Sequence, residues 1–339
     1  MRQLLLALTT GLMCWAGGAA HAGHPLPEGH VSLVFVGDIL LAETPGRLVR
    51  TGRDPFAPFA RLLDAADVRI GNLECVVATR GTPEPGKPYT FRAHPRVLQS
   101  LGRHFDVVGL ANNHSGDYGS DAFTEMLTRL DRAGIAYFGG GRTLEEAHRP
   151  RIIERKGLRI ALLGYNEFFP RAFEADFDKP GVAWSEDEQV RHDILQARSI
   201  HRADLVIPVM HWGWEHEPVA SPRQRQLARL MIDAGADAVI GGHPHVVQDT
   251  EHYRGKPILY SLGNFLFDGF TDKASTTGWL VRLEMDRDGV RHWRSFTARI
   301  DHQGVPHPAP GSDGMCWNRG EEDARPCPNA PAPRSKTVR

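Results

Sequence analysis

Short apolar runs that each stop at a chemically active polar residue constrain this chain most. The run 31–36 stops at Gly37-Asp38, and 107–111 stops at Asn112-Asn113-His114, with Asp117 just beyond. The run 205–210 stops at His211-Trp212-Gly213 with Glu215 beyond, and 238–240 leads through Gly241-Gly242 into His243-Pro244-His245. Gly71-Asn72-Leu73-Glu74 closes a fifth run. Runs of this length bounded by turn residues read as buried strands. Five strand ends therefore each offer an oxygen or an imidazole nitrogen, the mixed donor set of a metal site with one histidine to spare for acid catalysis.

Between the runs lie segments with helical spacing. Phe123, Met126, Leu127 and Leu130 recur as on an amphipathic helix over 120–133 that ends at Gly134. Further helices are expected at 58–66, 95–101, 186–201 and 222–234, and strands at 67–73, 136–138, 151–154, 159–163, 204–209 and 237–240. After Pro257 strands follow one another: 258–262, then 279–285 and 290–300 across Asp286-Arg287-Asp288-Gly289. Alternation first and consecutive strands later predict two sheets sandwiched between helices. Gly139-Gly140-Gly141 reads as a flexible turn. From residue 304 the chain is rich in proline and poor in apolar residues and reads as a tail over 304–339.

Forty Lys+Arg stand against 41 Asp+Glu, a net charge of -1, which argues against nucleic acid as a partner. Arg2, the apolar stretch 4–8 with 11–13, and Ala20-His21-Ala22 read as a cleaved secretory signal over 1–22, placing the mature protein in the periplasm or outside the cell. A retained anchor is the alternative. Export permits a disulfide between Cys316 and Cys327. Cys75 reads as a buried small apolar residue rather than a nucleophile.

Gly-Asn-Leu-Glu at 71–74, Asn-Asn-His-x-x-Asp-Tyr-Gly at 112–119, His-Trp-Gly-x-Glu at 211–215, Gly-His-Pro-His at 242–245 and Ser-Leu-Gly-Asn-Phe at 261–265 stand in a specific order. In that order, over roughly residues 31–300, the chain resembles the CapA family of capsule-synthesis proteins, some of which take part in poly-γ-glutamate production. That family is similar in fold to the calcineurin-like metallophosphoesterases. The resemblance implies a four-layer α/β/β/α sandwich spanning 23–303 and one or two divalent transition metals (Mn, Zn or Fe). Two such ions sit ~3.5–4 Å apart and activate water.

The resemblance also implies roles. Glu74 is the candidate bridge, with Asn72 as an alternative ligand. Asn113, His211 and His243 would share one ion, and Asp38 and His245 the other. His243 and His245 are two residues apart, which in extended chain separates the rings by ~6–7 Å and suits one histidine per ion. His114 is the general acid by analogy, with Asp117 orienting it and raising its pKa. Metallophosphoesterases carry Asp-x-His on the first strand; here Leu40 stands in the histidine's place. Arg92 in Thr-Phe-Arg-Ala-His-Pro, Trp212 and Asn264 are candidate substrate contacts, each with a bland alternative: a surface arginine, a core tryptophan and a turn residue. Glu215 is a candidate support for His211. His216, His252, His292 and His302 read as surface residues.

Three functions fit. The first is metal-assisted hydrolysis or transfer at a phosphate ester or amide, on an anionic envelope polymer or a small-molecule substrate. The second is a non-catalytic accessory protein handing polymer to membrane-bound synthesis and export proteins. The third is metal-free acid–base chemistry of the epimerase kind.

Overall fold

Alternation along the strand Val31–Ile39 sets the layering. Leu33 and Phe35 pack with Ile70, Ile160, Leu162 and Ile207 in one core, while Val34 and Val36 pack with Phe59, Leu101, Phe123 and Leu130 in another. A third core joins Leu163, Tyr165 and Val206 to Ile194, Leu227 and Met231. The first core therefore lies between two sheets and the others lie under helices, which makes a four-layer α/β/β/α sandwich, as expected. The computed structural model describes residues 28–309 and 314–328; the expected signal at 1–22 lies outside them.

The first sheet runs in parallel through Val31–Ile39, Val68–Leu73, Val107–Gly109 and Ala136–Phe138. On its other side Thr277–Asp286 and Gly289–Ile300 pair antiparallel, the hairpin expected there. The second sheet has Leu158–Asn166, Leu205–His211, Val239–Gly242 and Lys256–Leu259 in parallel, with Arg151–Arg155 and Thr250–Tyr253 antiparallel at its edges. Helices Val97–His104 and Gly119–Ala133 cover the first sheet, and Asp187–Ser199 and Pro222–Asp233 the second. Ser221 and Gln224 form a capping box at the start of Pro222–Asp233.

Three expectations are corrected. The segment 58–66 is a 3₁₀ turn, Ala57–Phe59, followed by one helical turn, Ala60–Leu63. The glycine triplet is no flexible turn: Gly140–Gly141 pairs with Gly181–Val182. A Cβ on Gly139 would lie 2.9 Å from Cα of Gly164, so the glycine permits a close backbone approach. The region read as a tail is also built into the fold. Pro306–Pro308 and Met315–Asn318 both pair with Gly289–Ile300. Trp317 is fully buried and stacks on His252 with ring centroids 4.6 Å apart. The average composition of 304–339 hid the cluster Met315-Cys316-Trp317. The expected disulfide Cys316–Cys327 closes this segment. No helix among the described residues is long and apolar enough to cross a membrane.

Candidate metal centre

In a parallel sheet the loops after the strands gather at one edge, and here two sheets present that edge together. Asp38 pairs with Asn72 and Asn72 with Gly109 in the first sheet; His211 pairs with Gly242 in the second. The donors that follow converge in two groups. Glu74, His211 and His243 form one, Asp38, Glu74 and His245 the other, with the donor atoms of each group within 4.8 Å of one another. Glu74 belongs to both, the position expected of a bridge. Its Oε1 lies 3.6 Å from Nε2 of His211 and 3.8 Å from Nε2 of His245.

The electrostatics ask for a cation. Glu74 is fully buried and neither of its oxygens takes a hydrogen bond from a donor among the described residues. Burial, and then the nearby carboxylates of Asp38, Glu215 and Asp117, hold it well above the usual carboxylate range. Burial likewise raises Asp38, with His245 opposing. His211 and His243 are pushed well below the usual imidazole range by burial and by neighbouring histidines. Neutral imidazoles beside crowded carboxylates are a ligand set, and Nε2 of His243 is a buried nitrogen without a partner among the described residues. Asn113 joins the first group, its Oδ1 2.7 Å from Nε2 of His211. These donors fit a metal ion.

His243 and His245 have ring centroids 6.0 Å apart, as expected, yet the backbone is not extended: both residues have positive φ, 92° and 57°. The turn, rather than strand pleating, splays the rings. Asn72 is no alternative ligand. Its Nδ2 donates to Oδ1 of Asp38 at 2.8 Å, and its Oδ1 accepts from Nδ2 of Asn112 at 3.0 Å. Asn112 also donates to the carbonyl of Leu73 and accepts from the backbone N–H of His114. It locks two of the site's loops together, a role its sequence position beside Asn113 did not reveal.

His114 is buried beside the cluster. Its Nδ1 faces Oδ2 of Asp117 at 2.8 Å, and Phe91 packs on its ring at 4.5 Å. Asp117 does favour the protonated imidazole, but burial is the larger effect and the pKa is lowered, not raised. Asp117 also accepts from Lys87 Nζ and from the backbone N–H of Phe91. Lys87 Nζ reaches the carbonyl of Asn113 as well. Sequence reasoning missed Lys87, because a proline-rich loop gives no sign that it folds back onto the site.

The other expected residues stand elsewhere. Arg92 is exposed; its guanidinium donates to the carbonyls of Arg80 and Gly81 and lies 4.4 Å above the ring of Tyr118, so it braces a loop. Trp212 is fully buried in the core under the outer helices and donates to the carbonyl of Tyr260. Successive residues of extended chain face opposite sides, so a ligand at His211 sends Trp212 away from the cleft. Asn264 is fully buried and bonds Nδ1 of His245 rather than facing substrate. Glu215 is exposed and makes no hydrogen bond to His211, whose partners are Asn72, Asn113 and His243. His252 is no surface residue but half-buried between Trp293 and Trp317. Cys75 is fully buried and its thiol is pushed up to about 12, as suits a packing residue.

Residues 32–269 match the family described as bacterial capsule synthesis protein PGA_cap. The chain is 32% identical over 286 residues to the PGA biosynthesis protein CapA of Bacillus subtilis (strain 168), covering 82% of this chain and 73% of that protein. It is 32% identical over 246 residues to the capsule biosynthesis protein CapA of Bacillus anthracis, covering 70% of this chain and 60% of that one. Among solved structures, the NAD nucleotidase NadN of Haemophilus influenzae is similar at 12% identity and a TM-score of 0.45, covering 83% of this chain and 54% of that one. A match over most of the described residues, whose range includes both donor groups, fixes the family: this chain belongs to the PGA_cap family of bacterial capsule synthesis proteins.

Proposed function

We propose that this chain is an exported protein of poly-γ-glutamate or related anionic envelope polymer synthesis, acting as a metal-dependent hydrolase or transferase on phosphate ester or amide bonds. The observation that carries the reading is Glu74, a fully buried carboxylate shared by two donor groups, with no hydrogen-bond donor on either oxygen among the described residues. The names of the two Bacillus relatives support the pathway. The sequence over 1–22 supports export to the periplasm or beyond.

Asn113, His211, His243 and Glu74 would hold one ion, and Asp38, His245 and Glu74 a second. When bound, such ions supply Lewis acidity and lower the pKa of water. The chain's own residues do the rest. Asp117, fixed by Lys87 and the Phe91 N–H, orients His114 through Nδ1. Nε2 of His114 has no hydrogen bond among the described residues and is the atom from which the protonated ring passes a proton to the leaving group, leaving the neutral imidazole with its Nδ1–H on Asp117. Phe91, Phe168, Phe267 and Phe270 pack on the rings of His114, His243 and His245 and keep water from them. The substrate is the anionic polymer or a small molecule, and the partners are membrane-bound synthesis and export proteins.

One observation favours the binding-only reading. Leu40 is buried in the core under the helices and offers no donor, which leaves Asp38, Glu74 and His245 as the His, Asp and Glu donors of the Asp38 group among the described residues. Elemental analysis of protein purified without chelator, beside rates on a phosphodiester and a γ-glutamyl peptide, tests both readings. Bound metal with turnover supports the enzyme. Bound metal with no turnover on either substrate favours the accessory protein, and no metal after incubation with Mn, Zn and Fe defeats the metal reading.

A further inference from the structure

On the helix-covered face of the second sheet lies an open cavity of about 590 Å³ that shares no residue with the metal centre. Its two buried polar groups are Asp193 and His148, the latter only 8% exposed, on the short helix Leu144–His148. Nδ1 of His148 lies 2.8 Å from Oδ2 of Asp193, and the same oxygen accepts from the Tyr165 hydroxyl at 2.9 Å. Oδ1 of Asp193 accepts from Nε2 of Gln189 at 2.7 Å. A carboxylate that accepts from three sides is an acceptor only, so Nδ1 of His148 carries the proton. In the neutral ring Nε2, on the far side, is then a bare lone pair. It takes no hydrogen bond among the described residues.

The walls define what would answer that lone pair. Phe177 is 87% exposed and Leu144 39%, and both line the cavity with Pro150, giving an apolar shelf. Arg149 is the cavity's sole arginine or lysine, and it is bonded to Glu145. No free cation waits for a carboxylate or phosphate. Asp193 is saturated and Glu145, the other carboxylate of the lining, is paired with Arg149, so no unpaired carboxylate faces an ammonium group. What remains is neutral hydrogen-bonding capacity, from Nε2 of His148 and from the paired His192 and Gln196.

We propose that this cavity is a second ligand site and that it takes a neutral saccharide. A sugar ring brings hydroxyl donors to His148 and lays its C–H face on Phe177, and it needs no counter-ion. The lining is mostly polar, with Leu144, Pro150 and Phe177 as its apolar shelf, a mixture that suits a ligand with both hydroxyl groups and a C–H face.

The test is calorimetric titration of the full chain with neutral cello-, malto- and N-acetylchito-oligosaccharides, and separately with poly-γ-glutamate. Saturable binding of at least one neutral sugar is expected, weakened about tenfold or more in Phe177→Ala. That ring is so exposed that the variant keeps the wild-type melting temperature. His148→Gln should weaken binding too, but the conclusion rests on Phe177→Ala if that variant fails to fold. The metal centre plays no part, so chelator should leave sugar binding unchanged. Absence of binding by every neutral sugar at millimolar concentration overturns the proposal, as does binding that Phe177→Ala leaves untouched. Poly-γ-glutamate binding that Phe177→Ala abolishes would assign the cavity to the polymer and overturn it as well.

Discussion

Oδ1 of Asn264 lies 2.8 Å from Nδ1 of His245, while its Nδ2 donates to the carbonyls of His245 and Ser275 at 3.3 and 3.0 Å. With the amide nitrogen on two carbonyls, the oxygen must face the ring. Nδ1 of His245 therefore carries the proton and Nε2 turns its lone pair toward Glu74. Asn264→Ala should weaken metal binding in the Asp38–Glu74–His245 group by about 10–100-fold and spare the other group. Competition with a graded chelator, read by elemental analysis, resolves the two. Equal weakening of both would show that Asn264 holds the whole edge together rather than one ligand.

Glu74→Gln should separate metal binding from folding. The substitution removes a charge that burial disfavours, so the metal-free variant should melt no lower than metal-free wild type. Metal content should nevertheless fall in both groups. Asp38→Asn should empty only its own. Melting curves with and without chelator, beside elemental analysis, check this; a Glu74→Gln variant that keeps one ion at full occupancy contradicts the bridge.

Asn113 and His114 are adjacent but should fail differently. Asn113→Ala should lower metal affinity and turnover together. His114→Ala should retain metal and lose about 100-fold or more in turnover, the range for a lost general acid. Asp117→Asn and Lys87→Met should cost less, since both act by holding His114. Metal titration beside rate measurement decides. If His114→Ala loses metal as fully as Asn113→Ala, His114 is a ligand.

His252 predicts a pH effect far from the centre. Burial between the tryptophans lowers its pKa below 6.5, against the raising influence of Asp323, Glu251 and Glu321. The unfolded chain thus takes the proton first as pH falls. Its contribution to stability is complete above about 6.5 and is lost as pH drops toward the lower folded value. Trp293 Nε1 donates to Nε2 of His252 at 3.1 Å, so protonation also breaks that bond. Denaturant midpoints measured downward from pH 7 should fall less steeply in His252→Gln than in wild type. Identical slopes would remove His252 from the account.

Reduction of Cys316–Cys327, eleven residues apart, should destabilise the protein by roughly 2–3 kcal/mol, the loop-entropy value for a ring of this size. Denaturant curves with and without reductant measure it. No change would mean that Trp317 and the strand pairing hold the segment unaided.

Most of the layering was legible because each parallel strand is a short apolar run and the long helices carry their own period. The candidate donors were legible for the same reason: Asp38, Glu74, Asn113, His211, His243 and His245 all sit where such a run ends. What stayed hidden depends on contacts distant in sequence. Lys87 reaches Asp117 from a loop thirty residues before it, and nothing local marks that approach. Trp212 and Asn264 were read by proximity to motifs, yet one faces the outer core and the other a ligand's back. The strand at Met315–Asn318 was lost in a proline-rich average, though its partner Gly289–Ile300 was plain.

Glu74 follows a strand of the first sheet, while His211 and His243 end strands of the second. An ion held by all three is a rivet across the seam between the sheets. Whatever free energy it gains on binding is also spent against prising the sheets apart, and each tenfold rise in free ion above the dissociation constant adds about 1.4 kcal/mol to that resistance. With the site filled as proposed, the working life of the molecule would be tied to the ion supply around it.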